Sequence, residues 1–136
     1  MTQLAPGRKF LKVTGILYLV FGGLGVLMGL LAFAGAGVAD AMAPGVGLES
    51  GIRIAAVLML VTSAYHLVLG ILGVKFCDRA EKAGLLIGLA ILDVALVALG
   101  FVIASFTWLS LIGLVLPILY LVGALKNKNA HAPDVD

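Results

Sequence analysis

Four apolar runs occupy most of this 136-residue chain, and its basic residues gather at alternate ends of them. Arg8, Lys9 and Lys12 precede the first run. Lys75, Arg79 and Lys82 separate the second from the third, and Lys126 and Lys128 follow the fourth. Arg53 alone lies at the opposite ends. A helix rises about 1.5 Å per residue, so a run of roughly 17–25 residues crosses the hydrocarbon layer of a bilayer. Short loops are where Lys/Arg bias orients a membrane chain most strongly. The pattern therefore predicts an all-α membrane protein: an antiparallel four-transmembrane-helix bundle with both termini and the middle turn in the cytoplasm.

Composition closes the soluble alternative, because apolar residues make up 62% of the chain and charged residues only 12%. A water-soluble domain carries about 25% charged residues. The net charge of +2 is no nucleic-acid signal, since the cations are accounted for by orientation. Cys77 is the one cysteine, which rules out an internal disulfide and any dithiol redox pair; beside the basic turn it reads as a reduced spectator thiol.

The chain divides into a basic cytoplasmic segment (1–12), a transmembrane domain (13–125) with spans at 13–38, 52–74, 83–104 and 108–125, and a polar cytoplasmic tail (126–136). The apolar stretch 13–39 far exceeds the roughly 7–15 residues of a secretory h-region, so it reads as a retained span. Residues 40–51, with Pro44 and several glycines, form the one sizeable external loop, and Ser50 is placed to cap the second helix. Asp78 and Glu81 have the spacing of a capping box that would start the third helix near Arg79. The short turn 105–107 makes the last two helices antiparallel neighbours. Trp108 at the outer boundary, and Tyr18 and Tyr120 near the inner one, fit interfacial anchoring. From Asn127 onward the chain is polar and reads as a disordered tail.

Lipid offers no hydrophobic drive for helix association, so small residues and interhelical hydrogen bonds must supply it. Gly15, Gly22, Gly29 and Ala36 recur at heptad spacing on the first span, with Gly25, Ala32 and Ala39 three residues further on. Ala56, Ser63 and Gly70 repeat the spacing on the second, and Ala83, Ala90 and Ala104 add small residues on the third. A seven-residue period keeps one seam facing a neighbour. Gly84 and Gly88 form a further GxxxG pair. At about 100° per residue they fall away from Asp93, which suits self-association or another membrane protein.

Asp93 is the most unusual residue. It lies mid-span, where inserting an acid costs on the order of 2.5–3.5 kcal/mol, so it is expected to face the interior and to have a partner. Counting from the cytoplasmic turn, His66 lies at similar depth. Thr62, Ser63 and His66 share a helix face. Pro117, a helix-kinking residue, has no N–H and deprives the Gly113 carbonyl of its donor. Asp93, His66, Thr62, Ser63 and Gly113 thus compose a midplane polar site.

Catalytic chemistry has no foothold. There is no phosphate-binding GxxxxGK[ST], no GxSxG and no His/Cys metal cluster, and a lone intramembrane His does not make a bundle haem site. No catalytic residue, metal or cofactor is expected. Small multidrug exporters depend on a carboxylate in the first span, and none lies in 13–38. The expectation is a non-enzymatic integral membrane protein of the plasma membrane, specifically a bacterial inner membrane, acting as a helix-packing or partner-binding subunit. The alternative is a minimal proton or small-solute transporter or channel using Asp93 and His66. Its partners are the lipid bilayer and, through Gly84 and Gly88, a second copy or another membrane protein, with no nucleic acid.

Overall fold

The computed structural model describes residues 5–42, 44–45, 47–103 and 108–130. They form α1 (Arg8–Met42), α2 (Leu48–Lys75), α3 (Ala83–Ile103) and α4 (Trp108–Asn129), with a 3-10 turn at Ala80–Lys82 leading into α3; no strand occurs among the described residues. Three helical segments are long and apolar enough to cross a membrane: Arg8–Met42, Glu49–Lys75 and Ala80–Gly100. α4, which carries Pro117 inside it, is not among them. Ala104, the turn 105–107, the Trp108 side chain and the tail 131–136 with His131 lie outside the described residues.

The helices outrun the apolar runs at several ends. α1 starts directly after Pro6 and Gly7: the Arg8 N–H donates to the Ala5 carbonyl at 2.9 Å and the Leu11 N–H to Gly7 at 3.0 Å. Past Met42 the chain turns through Gly45 (φ 84°) and Gly47 (φ 73°), a region that glycine enters without a Cβ clash. That turn lets α2 begin at Leu48. Ser50 therefore lies inside the first turn rather than at the cap, and its hydroxyl donates back to the Gly47 carbonyl at 2.8 Å. Glu49 and Arg53 pair one turn apart near the same end. The capping box at 78–81 does not form. Arg79 holds the cap position without a side-chain bond, while Asp78 is drawn into an ion pair with Arg8 at 2.8 Å. At the far end, α4 continues through Asn129 where the sequence suggested an irregular tail.

Two compact units divide the chain: Leu19–Val68, and Met1–Tyr18 together with Leu69–Asp136. Within Leu19–Val68, α1 and α2 meet along a glycine seam. A Cβ at Gly22 would stand 3.0 Å from the Leu67 backbone nitrogen, one at Gly29 would stand 2.9 Å from the Leu60 side chain, and one at Gly25 would collide with the Ser63 hydroxyl. The partners recede along α2 as α1 advances, which is antiparallel register. Ala36, Ala56 and Ser63 are buried here. Outside the seam, Leu24, Leu27, Met28 and Leu31 of α1 and Ile54, Leu58 and Val61 of α2 are each more than half exposed. Aliphatic faces this continuous suit lipid contact and would be an aggregation surface in water.

Within the other unit, α3 packs along α4, and the 3-10 turn touches both. Among the described side chains, the buried positions are Ala83, Leu86, Ala90 and Asp93 on α3, and Pro117, Tyr120, Gly123, Ala124 and Asn127 on α4. Spacings of three and four recur in both sets, one inward stripe per helix. Leu11, Thr14, Gly15 and Tyr18 supply the α1 stripe in this unit. Leu69, Gly70 and Gly73 supply that of α2.

Candidate functional site

Asp93 sits on the buried stripe of α3 and is 1% exposed. Tyr18, from α1, donates its hydroxyl to Asp93 Oδ2. The Tyr18 ring stands edge-on to Tyr120 of α4, with centroids 5.7 Å apart and planes at 83°. Tyr120 in turn donates to the Leu69 carbonyl of α2 at 3.1 Å. Gly73 makes that reach possible, since a Cβ there would lie 2.6 Å from Tyr120 Cε2. One acid and two phenols thus tie segments of four helices together inside a single unit.

Tyr18 and Tyr120 are 2% and 0% exposed, so they are interior donors rather than interfacial anchors. Their spacing carried a signal for this. Tyr18 lies three residues from Gly15 and four from Gly22, on the small-residue face of α1. A phenol on that face, which buries its ring and must find an acceptor, is a natural partner for a buried carboxylate.

The remaining expected residues are distributed as follows. Thr62, Ser63 and His66 belong to the Leu19–Val68 unit: Thr62 is exposed, Ser63 is buried against Gly25, and the half-buried His66 ring lies 6.4 Å from that of Tyr65. Gly113 is exposed on α4, where among the described residues no neighbouring element comes within 4 Å of a built Cβ, and Pro117 is fully buried. Gly15 and Gly70 come together, a Cβ on Gly15 standing 3.0 Å from the Gly70 carbonyl oxygen. Gly84 and Gly88 are both exposed, and among the described residues no neighbouring element comes within 4 Å of a built Cβ. Among the described residues, no three His, Cys, Asp or Glu side chains gather closely enough to hold a metal ion.

A second polar cluster lies at the basic end of the same unit. Asn127, 0% exposed, accepts the Gly7 N–H at 2.7 Å and donates to the Cys77 carbonyl at 2.8 Å. One side-chain amide therefore joins the start of α1, the end of α4 and the turn after α2. Arg8 and Asp78 add an ion pair alongside. Burial pushes the Cys77 thiol above its ordinary pKa, and the Asp78 carboxylate adds to this while the Arg8 guanidinium opposes it. The thiol is held protonated, which is poor preparation for a nucleophile.

Comparison with protein-family models, with curated proteins and with solved structures finds no match to this chain.

Proposed function

We propose that the chain is an integral membrane protein of four spans, oriented with both termini and the 75–82 turn in the cytoplasm of a bacterial inner membrane. In this reading it acts without catalysis, as a helix-packing and partner-binding subunit. The supporting observation is the contrast between two faces of α3. Asp93 is on the inward face, buried and bonded to Tyr18, whereas Gly84 and Gly88 are exposed and open. The costly acid serves the chain's own interior, and the flat glycine face admits close approach of another helix. A second copy of the chain is the partner that this face fits.

The test uses a Cys77→Ser background in native membranes. Gly88→Cys gives a disulfide-linked dimer under mild oxidation, Val115→Cys on exposed α4 gives far less, and Gly84→Leu suppresses the Gly88→Cys product. Equal yields from the two cysteine positions sink the reading.

A second reading is favoured by the same acid. A buried carboxylate that accepts a hydrogen bond from a phenol is the kind of group around which a minimal proton or small-solute pathway is built. Proteoliposomes loaded with a pH-sensitive dye separate the two. The transport reading requires a flux that Asp93→Asn abolishes with helicity intact; the packing reading requires none in the wild type.

A further inference from the structure

A groove of about 380 Å³ opens beside the start of α1, lined by Ala5, Pro6, Arg8, Lys9 and Lys12. Three of these five described residues are cations. Arg8 and Lys12 are one turn apart on α1, as are Lys9 and Lys12, so their charges are surface neighbours that repel one another. Asp78 neutralises part of this by pairing with Arg8, and the Cys77 thiol beside that pair is kept protonated. Lys9 and Lys12 are exposed, and among the described residues neither forms an ion pair. Lys126 adds charge from α4, its ammonium lying 4.5 Å from the centre of the Phe10 ring.

The local backbone adds to the positive potential. Gly7 precedes α1 with no side chain to cap it, and none is tolerated, because a Cβ there would overlap the Gly123 carbonyl and lie 2.6 Å from Asn127 Oδ1. Its first turn contains no acidic residue to complement the helix dipole. The cations and the groove carry the inference, and the helix end reinforces it.

We propose that this groove binds a phosphate-bearing anion, with Lys9 and Lys12 as the principal contacts and Arg8, held by Asp78, as the third. An anionic phospholipid headgroup supplies this chemistry, and so does free phosphate. The lipid source rests on the membrane reading above; the phosphate chemistry does not.

The test takes the full chain in a nonionic detergent and measures retention of phosphatidylglycerol and phosphatidylcholine by native mass spectrometry, with inorganic phosphate as competitor. The wild type retains phosphatidylglycerol preferentially. Replacing two juxtamembrane lysines at about 1 kcal/mol each, K9A/K12A weakens that binding about thirtyfold. K82A/K128A, which removes the same charge from exposed positions outside the groove, weakens it far less. Displacement of the lipid by millimolar phosphate, with the same K9A/K12A dependence, assigns the site to free phosphate; persistence of the lipid assigns it to the headgroup. Equal losses in the two double variants, or equal retention of both lipids with no displacement by phosphate, overturns the site. Absence of binding in a wild type that a separate flotation assay shows inserted into vesicles condemns the groove alone, whereas a wild type that fails to insert condemns the membrane reading.

Discussion

Replacing Asn127 with alanine separates a structural α4 terminus from a dispensable tail. The side chain is 0% exposed and satisfies two backbone groups, the Gly7 N–H at 2.7 Å and the Cys77 carbonyl at 2.8 Å. Asn127→Ala leaves both without a partner. A buried donor or acceptor orphaned in this way costs about 1–3 kcal/mol, so two set an upper range near 6 kcal/mol. Water entering the space vacated by the amide recovers part of that, and the expected loss is about 2–4 kcal/mol. Unfolding in mixed micelles of rising dodecyl sulfate fraction measures it, followed by far-UV circular dichroism and by the fluorescence of Trp108, the single tryptophan. Asn127→Asp sharpens the comparison. It keeps an acceptor for the Gly7 N–H but sets an oxygen against the Cys77 carbonyl, so it should cost at least as much. The exposed neighbour Lys128 supplies the control, since Lys128→Ala should stay within about 0.5 kcal/mol of wild type. Equal stabilities for Asn127→Ala and Lys128→Ala would refute the clamp.

Three further outcomes follow from the same geometry. Gly123→Ala, whose Cβ would stand 3.0 Å from Phe10 Cβ and 3.1 Å from the Leu11 nitrogen, should lose about 1–3 kcal/mol in the same titration; Gly84→Ala, facing open space, should be neutral or slightly stabilising. Tyr18→Phe should cost about 1–3 kcal/mol by removing the hydroxyl bond to Asp93, while Asp93→Asn, whose amide oxygen still accepts from Tyr18, should cost less; the reverse order would contradict a buried acceptor role. Alkylation of Cys77 should rise with pH only above the range of an ordinary thiol, and Asp78→Asn should bring the inflection down by removing a carboxylate that raises it. The sign for stability follows: the protonated thiol is favoured in the fold, so its contribution is full below the unfolded thiol pKa and fades as pH rises through the higher folded value.

Much of the fold was legible because lipid-compatible helices announce themselves by length and apolarity. Three of the apolar runs became helices long and apolar enough to cross a membrane. Their ends were less legible, since hydropathy marks where polar residues begin and not where hydrogen bonding stops. Asn127 shows the difference. Its neighbours Lys126 and Lys128 are polar, yet it falls three residues after Ala124 and seven after Tyr120, on the buried stripe of α4. Periodicity continued after composition had changed. Asp78 failed differently: the capping-box spacing competed with a cation 70 residues away in sequence, Arg8, which took the carboxylate.

For the buried acid Asp93, depth and helix rotation are separate guides to pairing. Reasoning from insertion cost expects Asp93 to be buried with a donor, because an exposed carboxylate in hydrocarbon is penalised; the side chain is 1% exposed and accepts from Tyr18. Matching depths across helices then nominates His66, the only imidazole at that level. Rotation about the helix axis is an equal constraint, and it nominates Tyr18, which shares the inward face with Gly15 and Gly22. A phenol also brings a long rigid reach, so it need not sit at the same level as its acceptor. Asp93 accepts from the Tyr18 hydroxyl of α1 and Tyr120 donates to the Leu69 carbonyl of α2, so both bonds run between helices. Replacing Tyr18 should then loosen the unit as a whole, an effect that a helix-specific proteolysis or hydrogen-exchange pattern would resolve from a purely local loss.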